Sequence, residues 1–153
     1  MALPEGDHVV YVDQVMSDHA LQVRDWTGMR FPMHEVAAGR IMLAFRTSAE
    51  IQTFHNNWIQ YDSFVDLPAL IASLPQIRAT QHAWIFEAKT TGLNAVAAPV
   101  FDAGGKVVAS LCIYGPDLRF PKPDRRKQIV KLLISASERL TQRLNFRPNL
   151  PLD

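Results

Sequence analysis

The sequence predicts an α/β (α+β) chain folded as one globular domain. Three observations point there. Apolar, β-branched or aromatic runs lie at 9–15 and 93–116, and leucine and isoleucine recur at helical spacing at 67–77 and 129–144. The 153 residues are also 48% hydrophobic and 20% charged, a balance that suits one packed core and excludes a disordered or fibrous segment. A net charge of +1 gives no global field that selects nucleic acid, membrane or acidic partners. The single cysteine, Cys112, sits between Leu111 and Ile113, which excludes an intramolecular disulfide and fits a reducing cytoplasm. No stretch approaches 18 uninterrupted apolar residues, and Met1 to His8 lacks the basic start and apolar centre of a signal peptide. The expectation is a cytoplasmic chain with no membrane contact.

The elements follow in order. Val9 to Val15 ("VVYVDQV") reads as a strand, and His19 to Arg24 could pair with it across the polar "MSD". "WTGMRFPMH" carries glycine and proline close together and reads as an irregular connection. "AAGRIMLAF" from Ala37 predicts a short helix ending near Thr47. "TSAE" at Thr47 to Glu50 is a capping box that starts a second helix toward Asn56. Asp66-Leu67-Pro68 starts a third, since aspartate caps well and proline is tolerated in a first turn; its apolar positions are Leu67, Leu70, Ile71, Leu74 and Ile77. Ala83 to Phe86 is a short strand. After the pair at 92–116, a helix from Asp124 carries Ile129, Leu132, Leu133, Ala136, Leu140 and Leu144 on one stripe. The ends, 1–8 and 147–153, are read as flexible.

The pair at 92–116, "GLNAVAAPVFDAGGKVVASLCIYGP", raises a packing question. With Asp102-Ala103-Gly104-Gly105 as its loop, Phe101 faces Lys106, and counting outward pairs Ala97 with Ser110, Ala95 with Cys112 and Leu93 with Tyr114. Side chains alternate, so these three pairs share a face that is small in the middle, while the opposite face holds Val96, Ala98, Val100, Val107, Leu111 and Ile113. Interiors pack with few voids, so something must fill the space above the small face. A helix packed close against it is one answer. A ligand cavity floored by it, with Leu93 and Tyr114 at one end, is the other. Pro99 cannot donate to a ladder and should mark a bulge or an edge.

Enzymatic and metal chemistry find little support. The five histidines, His8, His19, His34, His55 and His82, are never three or four residues apart, so no helix presents a two-histidine metal site. Thiolate formation at Cys112 would need a cationic neighbour or a helix N-terminus, and a mid-strand position offers neither. "FDAGGK" lacks the spacing and following hydroxyl residue of a phosphate loop, and a hairpin turn accounts for both glycines. Glu87 beside Lys89 has no partner carboxylate at a readable spacing. The basic cluster that includes Arg125, Arg126, Lys127, Lys131 and Arg139 spreads around its helix and reads as a solvated face. Nothing calls for a cofactor, a metal or a catalytic residue.

Four collinear blocks, "VVYVDQV", "GMRFPMHEVAAGRIMLAF", "GLNAVAAPVFDAGGKVVASLCIYGP" and the C-terminal helix, resemble the effector-binding domain of the IclR (isocitrate lyase regulator) family of bacterial transcriptional regulators, from about Leu3 to Phe146. The resemblance implies a GAF-like fold: a curved, largely antiparallel sheet flanked by helices, binding a small molecule on one face. It implies a homodimer or homotetramer whose operator DNA is bound only through an N-terminal winged helix-turn-helix. This chain has no such segment, nor the helix that normally precedes the first strand, so 1–153 reads as a detached effector-binding domain.

The family's ligand contacts fall on the turn Ala37, Ala38 and Gly39, where helix N-terminal amides attract an acceptor, and on Ile85, Leu93, Ala95, Cys112 and Tyr114 of the sheet. Members that bind small, highly polar acids carry polar groups at several of these sheet positions. Here Ile85 and Ala95 would leave such a ligand's oxygens unsatisfied, at roughly 1 to 3 kcal/mol per group. An aromatic or medium-chain organic acid is therefore expected, its carboxylate at Ala38 and Gly39, with Met33 and His34 at the rim. A GAF-like dimerisation module whose sheet face is filled by its own side chains, Met33 or Phe45, is the competing reading.

Overall fold

A computed structural model describes residues 1–16, 23–61, 65–88 and 92–145. Among them, six strands form one sheet: β1 (Ala2–Glu5), β2 (His8–Tyr11), β3 (Arg30–Pro32), β4 (Ala83–Ala88), β5 (Leu93–Phe101) and β6 (Val107–Pro116). The spatial order is β3-β2-β1-β6-β5-β4, with every neighbouring pair antiparallel. The helices are α1 (Ala37–Leu43), α2 (Ser48–Trp58), α3 (Leu67–Thr80) and α4 (Arg126–Asn145). A 3-10 turn at Met33–Glu35 leads into α1.

The first strand departs from expectation. Residues 1–8 are not a loose end: Ala2–Glu5 is β1, and it pairs with β2 through Ala2↔Tyr11 to Glu5↔His8 around a turn in which Gly6 takes a φ of 61°. Pro4 obscures this strand in the sequence, yet β1 meets β6 only at Ala2↔Ser110, so Pro4 lies where one side of the strand is unpaired. The expected partner of the first run, His19 to Arg24, falls largely on 17–22, outside the described residues; Val23 and Arg24 are not in a strand. The expected end at 147–153 is likewise outside them.

Helix starts follow local chemistry closely. Thr47 and Glu50 form the predicted reciprocal capping box, with Glu50 N–H donating to Thr47 Oγ1 at 3.3 Å and Thr47 N–H to Glu50 Oε2 at 2.8 Å. Asp66 caps α3 by accepting from Ala69 N–H at 3.0 Å. Helix α1 stops at Leu43, one turn earlier than the apolar run suggests.

In the long hairpin the faces are as expected except at Val107, which beyond the bulge pairs with Phe101 and packs in the α1 cluster on the small face. The register is not as expected. Ala97 pairs with Cys112, Ala95 with Tyr114 and Leu93 with Pro116, two residues out of the counted register. The cause is a longer loop: Phe101 pairs with Val107 rather than Lys106, with a bulge between Val100 and Phe101. A shift of two preserves the side to which each residue points. Pro99 lies beyond the last β4 pair, Ala83↔Ala97, so β5 has an open edge there. Helix α4 covers it: the Ser137 hydroxyl donates to the Pro99 carbonyl, Phe101 N–H donates to Thr141 Oγ1 at 3.1 Å, and Asn145 Nδ2 donates to the Phe101 carbonyl at 3.2 Å.

The core has two parts. Helix α1, with α2 and α3 behind it, packs on the small face of the sheet with Ala37, Ala38, Ile41, Met42 and Leu43 buried. On the opposite face, Val96 and Ala98 pack with Leu133 of α4. The predicted α4 stripe is only partly realised: Leu133 is buried, but Leu132 and Leu144 are 60% and 57% exposed, and the second buried position is Ser137. The basic residues Arg125, Arg126, Lys127, Lys131 and Arg139 are exposed, as a solvated face requires.

Candidate functional site

Across the small face, residues align in rows. Ala83, Ala97 and Cys112 form one row over β4, β5 and β6, and Ile85, Ala95 and Tyr114 form the next. Burial separates them. Ala83 and Ala97 are buried in the cluster that includes α1, whereas Ile85, Ala95, Tyr114 and the neighbouring Leu93 remain half-buried. The two readings of the small face therefore divide it: small side chains admit α1 over one half, and the other half is left incompletely covered. Cys112 and Tyr114 also border an open groove of about 970 Å³ that reaches Met16, Val23 and the α4 residue Leu140.

An aromatic cluster stands at the Tyr114 end. The Tyr114 ring stacks on Trp26 with centroids 4.8 Å apart and planes at 14°, and Tyr11 meets both rings edge-on at 5.4 and 6.1 Å. Phe31 closes the group, 5.0 Å from Trp26 and 5.8 Å from Tyr11. Gln14 ties it together: its Oε1 accepts from the Tyr114 hydroxyl and from Trp26 N–H, the latter at 3.0 Å. The Tyr114 hydroxyl thus already has a partner, and burial pushes its pKa up to about 12. Sequence reasoning missed Trp26, Tyr11 and Phe31. The available signal was Trp26 and Phe31 inside a connection otherwise read as irregular.

The first turn of α1 is shielded by the chain just before it. Ala37, Ala38 and Gly39 are buried, and a Cβ on Gly39 would lie 2.2 Å from the Met33 carbonyl oxygen. Gly39 is needed for this close backbone approach. Met33 N–H donates to the Asp7 carbonyl at 3.0 Å, and the Met33 side chain is fully buried. Met33 is therefore a core residue rather than an adaptable rim. His34 is not beside the sheet row either: its ring packs on Trp58 at 4.4 Å, and it lines a separate cleft with Arg40 and Ser73. Of the ten expected contact residues, the five sheet positions form one surface, the turn Ala37 to Gly39 adjoins it through α1, Met33 is packed beneath that turn, and His34 stands apart.

Burial pushes the Cys112 thiol up to about 11, against the smaller opposing effect of the Ser110 hydroxyl at 3.6 Å, so the sulfur stays protonated. Among the described residues, no group of three or more His, Cys, Asp or Glu could hold a metal ion. No helix among them is long and apolar enough to cross a membrane.

Residues 1–142 match the family described as bacterial transcriptional regulator IclR C-terminal. Among curated relatives, the HTH-type transcriptional regulator KdgR of Escherichia coli (strain K12) is 28% identical over 147 residues, covering 93% of this chain and 55% of the relative. The HTH-type transcriptional repressor AllR of Klebsiella pneumoniae is 28% identical over 152 residues, covering 97% and 56%. The chain thus spans about half the length of these relatives. The crystal structure of the C-terminal domain of E. coli KdgR superposes with a TM-score of 0.74 at 26% identity, over 95% of this chain and 85% of that one. An IclR transcriptional regulator from Alicyclobacillus acidocaldarius gives a TM-score of 0.82 at 19% identity, over 94% and 59%, a likeness of fold.

Proposed function

Because this chain belongs to the IclR C-terminal family of bacterial transcriptional regulators, we propose that it senses a small organic acid, aromatic or otherwise apolar, on the half-covered part of its sheet. The observation that carries this reading is the row Ile85, Ala95 and Tyr114, with Leu93 beside it: these residues stay half-buried while the neighbouring Ala83 and Ala97 are sealed by the core. A floor of isoleucine, alanine and leucine, a neutral thiol at Cys112 and a Tyr114 hydroxyl already bonded to Gln14 offer little to a highly polar acid. A ring or alkyl chain suits them, with Trp26 and Tyr11 as wall. The carboxylate would turn to the amides of Ala37, Ala38 and Gly39, which have no backbone acceptor outside the helix among the described residues, once the Met33–Glu35 turn that shields them gives way.

Binding would act by population shift between two quaternary arrangements of a dimer or tetramer, altering operator affinity through a separate helix-turn-helix domain. The share of the relatives that lies outside the matched region, nearly half of each, supports such a domain in the complete regulator. A chain of this kind regulates and does not catalyse.

The stacking of Tyr114 on Trp26 and the full burial of Met33 favour one second reading, a dimerisation module whose face is filled by its own side chains. Crystals soaked with benzoate separate the two. Density for a ring over Ala95 supports sensing; an unoccupied face with Tyr114 and Trp26 unmoved supports the module.

A further inference from the structure

A second cleft, of about 200 Å³, lies between the Met33–Glu35 turn, α1 and the start of α3. Its polar wall is formed by His34, Arg40, Asp66 and Ser73. None of the sheet-floor residues lines it.

Arg40 is the reason to read it as a site. Its side chain is half-buried, and its Nε–H donates to the His34 carbonyl at 3.1 Å, which fixes the plane of the guanidinium. Among the described residues, no ion pair involves Arg40; the pairs formed are those of His8, Arg30, His34, Arg46 and Arg125. With Nε committed to a backbone carbonyl, the two Nη groups remain as a fork, the geometry that grips a planar oxyanion with two oxygens. A half-buried cation that forms no ion pair is otherwise hard to account for, since desolvation works against the charge. Arg40 is accordingly less basic than an exposed arginine, with burial as the cause.

His34 supplies an independent observation. It is 7% exposed, and its Nδ1 is buried without any hydrogen-bond partner. Buried ring nitrogens are ordinarily satisfied. The unpartnered Nδ1 and the unpaired Arg40 belong to residues of the same cleft; with Glu35 Oε1 3.6 Å from His34 Nε2, Nδ1 meets a ligand oxygen only as the protonated ring nitrogen. Ser73 Oγ donates to the Leu70 carbonyl at 2.6 Å and Asp66 Oδ1 caps α3, and among the described residues neither bonds to His34 or Arg40.

We propose that this cleft binds a small monocarboxylate, its two oxygens on the Nη fork of Arg40 and beside the His34 ring, as a second site separate from the sheet floor. The cleft volume admits a ligand of a few heavy atoms. Asp66 on the same wall disfavours a dianion, so a monocarboxylate is preferred over phosphate.

The test uses acetate and inorganic phosphate as probes on the intact chain. Titration followed by NMR is expected to give saturable shifts of the Arg40 side-chain Nε–Hε and the His34 ring with acetate, and shifts at least about ten-fold weaker in affinity with phosphate. Arg40→Lys keeps the charge but loses the fork, and should weaken acetate about ten-fold; Arg40→Gln should abolish the response. Because Arg40 also anchors the Met33–Glu35 turn, the wild-type titration decides by itself if a variant fails to fold. Absent or non-saturable shifts, phosphate binding as tight as acetate, or an unaltered acetate response in a folded Arg40→Gln would each overturn the proposal.

Discussion

Gly39 of α1 lies so close to the backbone of Met33 that a Cβ at this position would stand 2.2 Å from the Met33 carbonyl oxygen and 2.3 Å from its Cα. The obstacle is main chain, so it cannot be relieved by a rotamer change. Met33 is held in turn by its N–H on the Asp7 carbonyl. Gly39→Ala should therefore cost at least about 3 kcal/mol, by driving the turn off α1. Urea denaturation measures it, and an unchanged midpoint would contradict the interlock.

His34 predicts an acid sensitivity. Burial, with Arg40, His8 and His55 adding to it, lowers its pKa from the usual 6.5 to about 4. The folded state thus holds the ring neutral where the unfolded chain protonates it. Stability from this group is fully present above pH 6.5 and is lost as the pH falls toward 4, by on the order of 3 kcal/mol. Thermal melts between pH 7 and 4 should show this slope, and His34→Gln should flatten it. Equal slopes in the two proteins would refute the assignment.

The capping box makes a local prediction. Thr47→Ala removes the acceptor for Glu50 N–H and the hydroxyl that meets Glu50 Oε2 at 2.9 Å. The expected loss is about 1 kcal/mol with the sheet intact, read as a lower denaturation midpoint with an unaltered near-ultraviolet spectrum.

Cys112 should be a slow thiol. With its pKa pushed to about 11 by burial, it is almost wholly protonated at pH 8. Alkylation by iodoacetamide should be far slower in the native chain than after denaturation. A native rate equal to the denatured one would mean that the thiol is neither buried nor protonated as described.

What the sequence disclosed depended on how local the cause was. The caps at Thr47 and Asp66 are read from three or four residues, and both form as expected. The two faces of the long hairpin followed from alternation, which survives a register error of two but fails at Val107, past the bulge. The register itself did not, because Pro99 signals a bulge or an edge without fixing the extra residue beside Val100 and Phe101. Strand β1 escaped notice because Pro4 argues against a strand until its one-sided pairing is known. That Leu93, Ala95, Cys112 and Tyr114 share a face was legible from alternation, and Ile85 was placed beside them only through the resemblance. Trp26, Tyr11 and Phe31 were not legible, since their association with Tyr114 joins residues some 80 to 100 positions apart. Met33 and His34 were displaced from the rim by a contact that only the backbone reveals.

The central claim is that the row Ile85, Ala95 and Tyr114 floors an apolar effector site. Calorimetry with benzoate and glycolate, on the wild-type chain and on Ala95→Phe, tests it most directly. The account predicts benzoate tighter than glycolate by at least about ten-fold, and no benzoate binding by a folded Ala95→Phe, whose ring would occupy the floor. Glycolate binding more tightly than benzoate, or benzoate binding unchanged in Ala95→Phe, would contradict it.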